Sequence, residues 1–459
     1  MTFLVINWPQ VGLQAGYLIS SLSILVILHE FGHYITAKWF KCRVEKFYLF
    51  FDPWFSLVKK KIGETEYGIG WLPLGGYVKI AGMVDESMDK EQMKLPPQPW
   101  EFRSKPAWQR LIIMLGGVTM NVLFAFFLYA MILYKWGDTK LPMVNAKDGI
   151  WITDSIMHDI GLRNGDKILS VNGEAVNYFD DLPAKIILGN QLTISRDGKE
   201  QTITLPQNMI ERLVEKKGKP KSLLMPRMPI VVGLLADTFS SNAKNSGLRI
   251  FDRIIAVDSI PVPYYDQMGP LLEQKKGDSV NLIVMRNQQL MDVRTLIDTA
   301  GKIGFYEMNA EQADSLGILK LESKKYGFLA SFPAGVKKTG EQLDFYIQQF
   351  KLLLNPKTGA YKGLTGFKGM ASVFPNTGWN WEAFWKITAF FSIILAFMNL
   401  LPIPALDGGH VLFTLIEMVT GRKPSDKFLE YAQIAGMVLL FALMLFANGN
   451  DWFGWGKGH

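Results

Sequence analysis

Four stretches of this chain, at about 14–38, 109–134, 384–406 and 430–448, are apolar over lengths that a water-soluble core would struggle to bury one after another. A helix needs roughly 20 residues to cross a hydrocarbon layer of about 30 Å, and each stretch is close to that length. Inside such a layer every backbone N–H and C=O must find a partner within the chain, so the stretches are expected to be helices. The fourth is the shortest and carries Gln433, yet its run MVLLFALMLF offers water no polar side chain. The expected fold class is an α-helical polytopic membrane protein of about four transmembrane helices, with mixed α/β domains outside the bilayer. The opening MTFLVINWPQ has no basic region and no small-residue cleavage pattern follows it, so the first span is expected to be retained.

Lysines and arginines orient the spans. None precedes the first span, whereas Lys38, Lys41, Arg43, Lys46 and Lys59 to Lys61 follow it, and Arg103, Lys105 and Arg110 come just before or at the start of the second. The loop at 39–108 is therefore expected in the cytoplasm, together with the turn holding Arg422, Lys423 and Lys427. Both termini and the long segment 135–383 are then expected outside. The net charge of +7 has no stacking aromatics interleaved with it and flanks apolar stretches, which argues against nucleic acid as a partner.

The external segment contains an internal duplication. Gly161 to Val176, GLRNGDKILSVNGEAV, and Gly247 to Val262, GLRIFDRIIAVDSIPV, share Gly-Leu-Arg, an Asp before a basic residue, and apolar alternation ending in a turn. Past Gly327, the positions Val336, Leu343, Ile347, Phe350 and Leu354 follow helical spacing, predicting an amphipathic helix against the membrane or the second repeat. The expected division is 1–140, first membrane part; 141–226 and 227–306, the two repeats; 307–382, connecting region; and 383–459, second membrane part.

Chemistry concentrates in His29-Glu30-Phe31-Gly32-His33. On a helix the two histidines share a face and can chelate one ion, and Glu30 sits beside them as a base for water. With five histidines in the chain, this pattern would arise by shuffling on the order of once in a few hundred sequences. The plain alternative, two satisfied core histidines, conflicts with the cost of placing His, Glu and His inside a bilayer. At about 1.5 Å per residue, His29 lies roughly 13 Å inside the anchor Lys38, in the cytoplasmic half of the membrane. The single Cys42 excludes a thiolate cluster, and nitrogen plus oxygen donors suit zinc. Asp407, in Asn399-Leu-Leu-Pro-Ile-Pro-Ala-Leu-Asp-Gly-Gly-His410, is the candidate third ligand; His410 competes for the role, and an ordinary interfacial turn is the alternative. Pro402 and Pro404 should break the helix there.

Together the two motifs resemble the site-2 protease family, and the layout resembles its bacterial group that cleaves anti-sigma factors. The resemblance spans nearly the whole chain. It implies that His29, His33 and Asp407 hold Zn2+, that Glu30 activates water, and that Asn399 binds substrate or intermediate. It makes the duplicated segments PDZ-like domains, which either capture chain ends by strand addition or exclude bulky substrates. The loop Gly68-Ile-Gly-Trp-Leu-Pro-Leu-Gly-Gly-Tyr-Val-Lys79 is also similar to the family's. Its glycines Gly68, Gly70, Gly75 and Gly76 and alternating apolar residues suit a re-entrant β-hairpin whose open edge binds substrate, or a structural loop packed at the membrane surface. Two departures concern Gly117-Val-Thr-Met-Asn121, where the family often has Gly-Pro-x-x-Asn, and Thr365-Gly-Phe367, in place of Ser-Gly-Pro. Asn121 reads as a packing residue.

The implied function is intramembrane zinc proteolysis of single-pass membrane proteins in a bacterial inner membrane, with anti-sigma factors or signal-peptide remnants as substrates and lipids as surroundings. A non-catalytic membrane-anchored scaffold is the competing reading, and a metal transporter a third. Retention of all four polar groups opposes the first, and the presence of a single polar cluster opposes the second.

Overall fold

The computed structural model describes residues 7–83, 96–216, 222–236 and 242–456. Parts of the expected loop (84–95) and of the repeats (217–221 and 237–241) lie outside the described residues. Four described helices are long and apolar enough to cross a membrane. They are α1 (Trp8–Trp39), α2 (Ala107–Lys135), α4 (Trp381–Leu400) and α6 (Asp426–Phe453); α3 (Phe328–Leu354) and α5 (Asp407–Thr420) are shorter on apolar length. Local chemistry sets several ends. The Asn7 and Asn380 side chains accept from the Gln10 and Ala383 amides and so cap α1 and α4.

The third span corrects the expected 384–406: its helix stops at Leu400. Pro402 and Pro404 cannot continue the hydrogen-bond ladder, and the chain turns through 401–406 before restarting as α5. Gly408 and Gly409 make this turn possible, because a Cβ on either would come within 2.4 Å of the backbone of residues 400–404. Asp407 thereby stands in the first turn of a new helix, where the backbone dipole favours a carboxylate.

Helices α1 and α2 touch through glycines. A Cβ on Gly32 would lie 2.2 Å from Gly116 O, so backbone meets backbone. Polar pairs join α4 to this core: Thr388 Oγ1 donates to Ser21 Oγ at 2.9 Å, and Ser392 Oγ to Asn121 O at 2.8 Å. The amphipathic α3 lays Gly335 against Phe126 and Ala130 of α2, and its Tyr346 and Phe350 rings meet Phe397 of α4 at 5.3 and 5.2 Å.

Strands β1 (Val44–Ile62) and β2 (Thr65–Ile80) form more than the expected hairpin. Residues 46–49 pair on one side with 66–69, and 44–49 on the other with 76–80, while 56–62 pair with 65–70. The segment order is thus 56–62, 65–70, 44–51, 72–80. Phe50 and Trp54, with φ of 69° and 76°, provide the kinks that let one strand serve two neighbours. Segment 72–80 is an outer edge, with no strand paired beyond it among the described residues.

The second compact unit covers Asp138–Lys324 and Leu352–Ala360. Each repeat contains a four-stranded antiparallel sheet: Glu174–Ala175, Lys167–Val171, Gln191–Arg196, Lys199–Thr204 in one, and Ile260–Pro261, Arg253–Val257, Ser279–Arg286, Gln289–Leu296 in the other. The duplicated Asp has the same task in both. Asp166 receives two hydrogen bonds from Arg196 at 2.8 and 2.7 Å, and Asp252 two from Arg286 at 2.7 and 2.6 Å. Each Asp also accepts from the Arg amide of its own Gly-Leu-Arg at 2.8 Å. The paired carboxylates raise both guanidinium pKa values above an already high norm. One boundary differs from the expected division at 306. Met308, Ala313 and Leu319 are buried in the first repeat's core, and Glu322–Lys324 pairs with Asp138–Lys140, because this apolar return segment completes a core the repeat alone leaves open.

Candidate metal centre and its cavity

The i and i+4 spacing on α1 brings His29 and His33 to one face, and the turn at 401–406 brings Asp407 to meet them. His29 Nε2 and His33 Nε2 are 3.3 Å apart, and Asp407 Oδ2 lies 3.1 and 3.2 Å from them. A tetrahedron with metal–ligand bonds of ~2.05 Å has edges of about 3.3 Å, so this donor triangle has the size of one zinc face. The donor chemistry fits as well. His33 Nδ1 is 2.9 Å from Ile113 O and must donate to it, which leaves the Nε2 lone pair facing the triangle. Both imidazoles are buried, at 7% and 5% exposure, so nothing in solvent substitutes for a cation between them.

Why the histidines can close is a matter of α2. A Cβ on Gly117 would fall 2.4 Å from His33 Nε2 and 2.7 Å from His29 Cε1. Gly117→Ala is therefore expected to displace both rings, weakening zinc binding at least about tenfold and costing about 1–3 kcal/mol of stability. Zinc titration and thermal unfolding in detergent check this; a variant with unchanged zinc affinity would show that the rings have room to retreat.

Glu30 lies beside the sheet and lines the same cavity as Val78. Asn399, near the end of α4, places Nδ2 3.4 Å from His29 Nε2. These groups open on a cavity of about 740 Å³ lined by Glu30, Asn399, Asp407, Gly75, Gly76 and Gln433 among others. Of the loop glycines, Gly75 and Gly76 thus face the cavity. A Cβ on Gly76 would come 2.8 Å from Val26 and 3.5 Å from Glu30. Gly68 and Gly70 lie elsewhere, inside the sheet against the Tyr48 ring and the Phe51 carbonyl. His410 also lines the cavity, one turn beyond Asp407 on α5.

Two polar residues that the sequence marked, without placing them at the site, belong to it. Gln433, an amide in the fourth span, is 5% exposed and lines the cavity. Asn121, completely buried, places its side chain 3.2 Å from His29 Nδ1. The signal for both was their occurrence in otherwise apolar spans, where an amide is costly without a partner.

The chain is similar to known proteins over nearly its whole length. The profile of Peptidase family M50 matches residues 17–443. The "Regulator of sigma E protease" of Haemophilus influenzae is 27% identical over 95% of this chain and 98% of its own length. The "Regulator of sigma-E protease RseP" of Salmonella typhimurium is 28% identical over 94% of this chain and 97% of its own. A Vibrio cholerae relative whose name includes zinc metalloprotease is likewise 28% identical, over 94% and 97%. Membrane-crossing helices, a converged His-His-Asp triad and a family match over nearly the whole length lead to one conclusion: the chain belongs to peptidase family M50 and is a site-2-type, zinc-dependent intramembrane metalloprotease.

Proposed function

We propose that His29, His33 and Asp407 hold the zinc and that the enzyme cuts single-pass membrane proteins of the bacterial inner membrane, anti-sigma factors or signal-peptide remnants. The observation that carries this reading is the convergence of the three donor atoms within 3.3 Å beside Glu30 and the outer β-edge of the described sheet. When bound, zinc supplies a Lewis acid that polarises the scissile carbonyl and makes water more acidic. Glu30 takes a proton from the attacking water as its oxygen bonds to the carbonyl carbon, and delivers it to the leaving amide nitrogen as the C–N bond breaks. Asn399 donates to the oxygen on which charge develops. Edge segment 72–80 pairs with the unwound substrate, with Gly75 and Gly76 keeping side chains out of its path. The relatives named for sigma-E regulation support the substrate class. Asn399→Ala is expected to keep zinc and to slow cleavage about 10²-fold; a normal rate would leave Asn399 a packing residue.

The basic anchors support a topology with both termini and the repeats outside and the zinc in the cytoplasmic half. The repeats, read as PDZ-like domains, then stand across the membrane from the chemistry, and their task is admission of trimmed substrates. The deletion that tests this runs from Asp138 to Lys324, since a cut at 306 would strand Met308, Ala313 and Leu319. The ends rejoin readily, because the Tyr134 and Phe328 rings are 5.7 Å apart. The shortened enzyme should keep zinc and cleave untrimmed substrates that the intact enzyme rejects. Weaker cleavage of trimmed substrates with no gain on untrimmed ones would instead make the repeats capture domains.

A further inference from the structure

Asn121 sits one helical turn beyond Gly117, so the face of α2 that makes room for the imidazoles also delivers an amide to them. The residue is 0% exposed. Its Nδ2 lies 3.2 Å from His29 Nδ1, while its Oδ1 is buried with no hydrogen-bond partner. That pairing is unfavourable for a metal ligand. If Nδ1 accepts from the amide, a neutral His29 carries its proton on Nε2, the atom facing His33 and Asp407. A half-turn of the amide exchanges its two ends, whose shapes are nearly identical. The unpartnered oxygen then receives the Nδ1 proton, and Nε2 turns a lone pair to the donor triangle.

His33 already has this arrangement through the Ile113 carbonyl. The two histidines differ in where the acceptor comes from. For His33 it is backbone, present whatever side chain occupies position 113; for His29 it is a side chain, and so can be removed.

We propose that Asn121 is the positioning residue of His29: its amide oxygen accepts from Nδ1 and fixes the tautomer and ring angle that hold zinc. The residue touches neither substrate nor zinc and acts only through the ring. The proposal rests on the ligand set given above. Outer partners of this kind are typically worth 10–100-fold in metal affinity.

The test measures Zn2+ affinity of the full-length, metal-stripped protein in detergent by competition with a chelator, for wild type, Asn121→Leu, Asn121→Asp and His29→Ala. Leucine keeps the volume and loses the acceptor; aspartate keeps only acceptors. Asn121→Leu should bind zinc 10–100-fold more weakly, and Asn121→Asp should stay within about threefold of wild type or bind more tightly. Unchanged affinity in Asn121→Leu would overturn the proposal, leaving Asn121 to packing. Aspartate as weak as leucine would also overturn it, since the amide would then act as a donor or as shape. Should the leucine variant fail to fold, the aspartate variant alone decides, because loss of zinc there has the same meaning. Wild type without stoichiometric zinc, or His29→Ala with undiminished zinc, would instead refute the ligand set itself.

Discussion

Replacing Glu30 by glutamine should leave the zinc content unchanged and reduce cleavage by on the order of 10²–10⁴-fold. The amide has nearly the shape of the carboxylate and can still occupy the pocket between α1 and segment 72–80, so neither the fold nor the donor triangle loses a contact. What disappears is the capacity to take a proton from water and return it to the leaving nitrogen. Parallel metal analysis and cleavage assays on purified protein check the result. Full activity in the zinc-loaded glutamine variant would remove Glu30 from the mechanism and require another base on the cavity wall.

The second large effect is expected at Asp407. Asp407→Ala should lower bound zinc well below one per chain and abolish cleavage, because His29 and His33 alone form an incomplete site. The aspartate oxygen is the nearest partner of both Nε2 atoms, at 3.1 and 3.2 Å, and its helix begins only after the turn at 401–406. Removing it leaves two buried imidazoles facing each other with no anion between them. Metal stoichiometry by elemental analysis distinguishes this from a purely catalytic loss. A variant that keeps a full complement of zinc would move the third ligand elsewhere on the cavity wall, with His410 the neighbouring candidate.

These two variants divide the site in the way the sequence does. Glu30 is next to His29 in the chain, so its place near the metal could be read from helical periodicity. Asp407 is 378 residues from His29, and no local pattern states that they meet; the resemblance to a family supplied the pairing, and the break at Pro402 and Pro404 gave it a physical reason. The sheet shows the limit of local reading. Alternating apolar residues and glycines correctly marked residues 68–79 as β-structure, yet they did not reveal that Gly68 and Gly70 would lie inside the sheet while Gly75 and Gly76 line the cavity. That distinction depends on the kinks at Phe50 and Trp54, which fold one strand between two segments of the other.

The sequence by itself determined the four membrane helices, the His-Glu-His face of α1, the duplicated repeats and the helix break before Asp407. Each is written in spacing along the chain, and hydrophobic period, i,i+4 geometry and the missing proline N–H act over one or two helical turns. Only the tertiary structure decided why positions 32, 116 and 117 are glycine, that Asn121 and Gln433 belong to the site, and that residues 308–321 complete the first repeat. Those facts concern which surfaces of distant segments touch. An amide in an apolar span or a glycine pair reads the same whether it packs against lipid, another helix or an imidazole, and the difference arises only when α1, α2 and α6 close around one cavity.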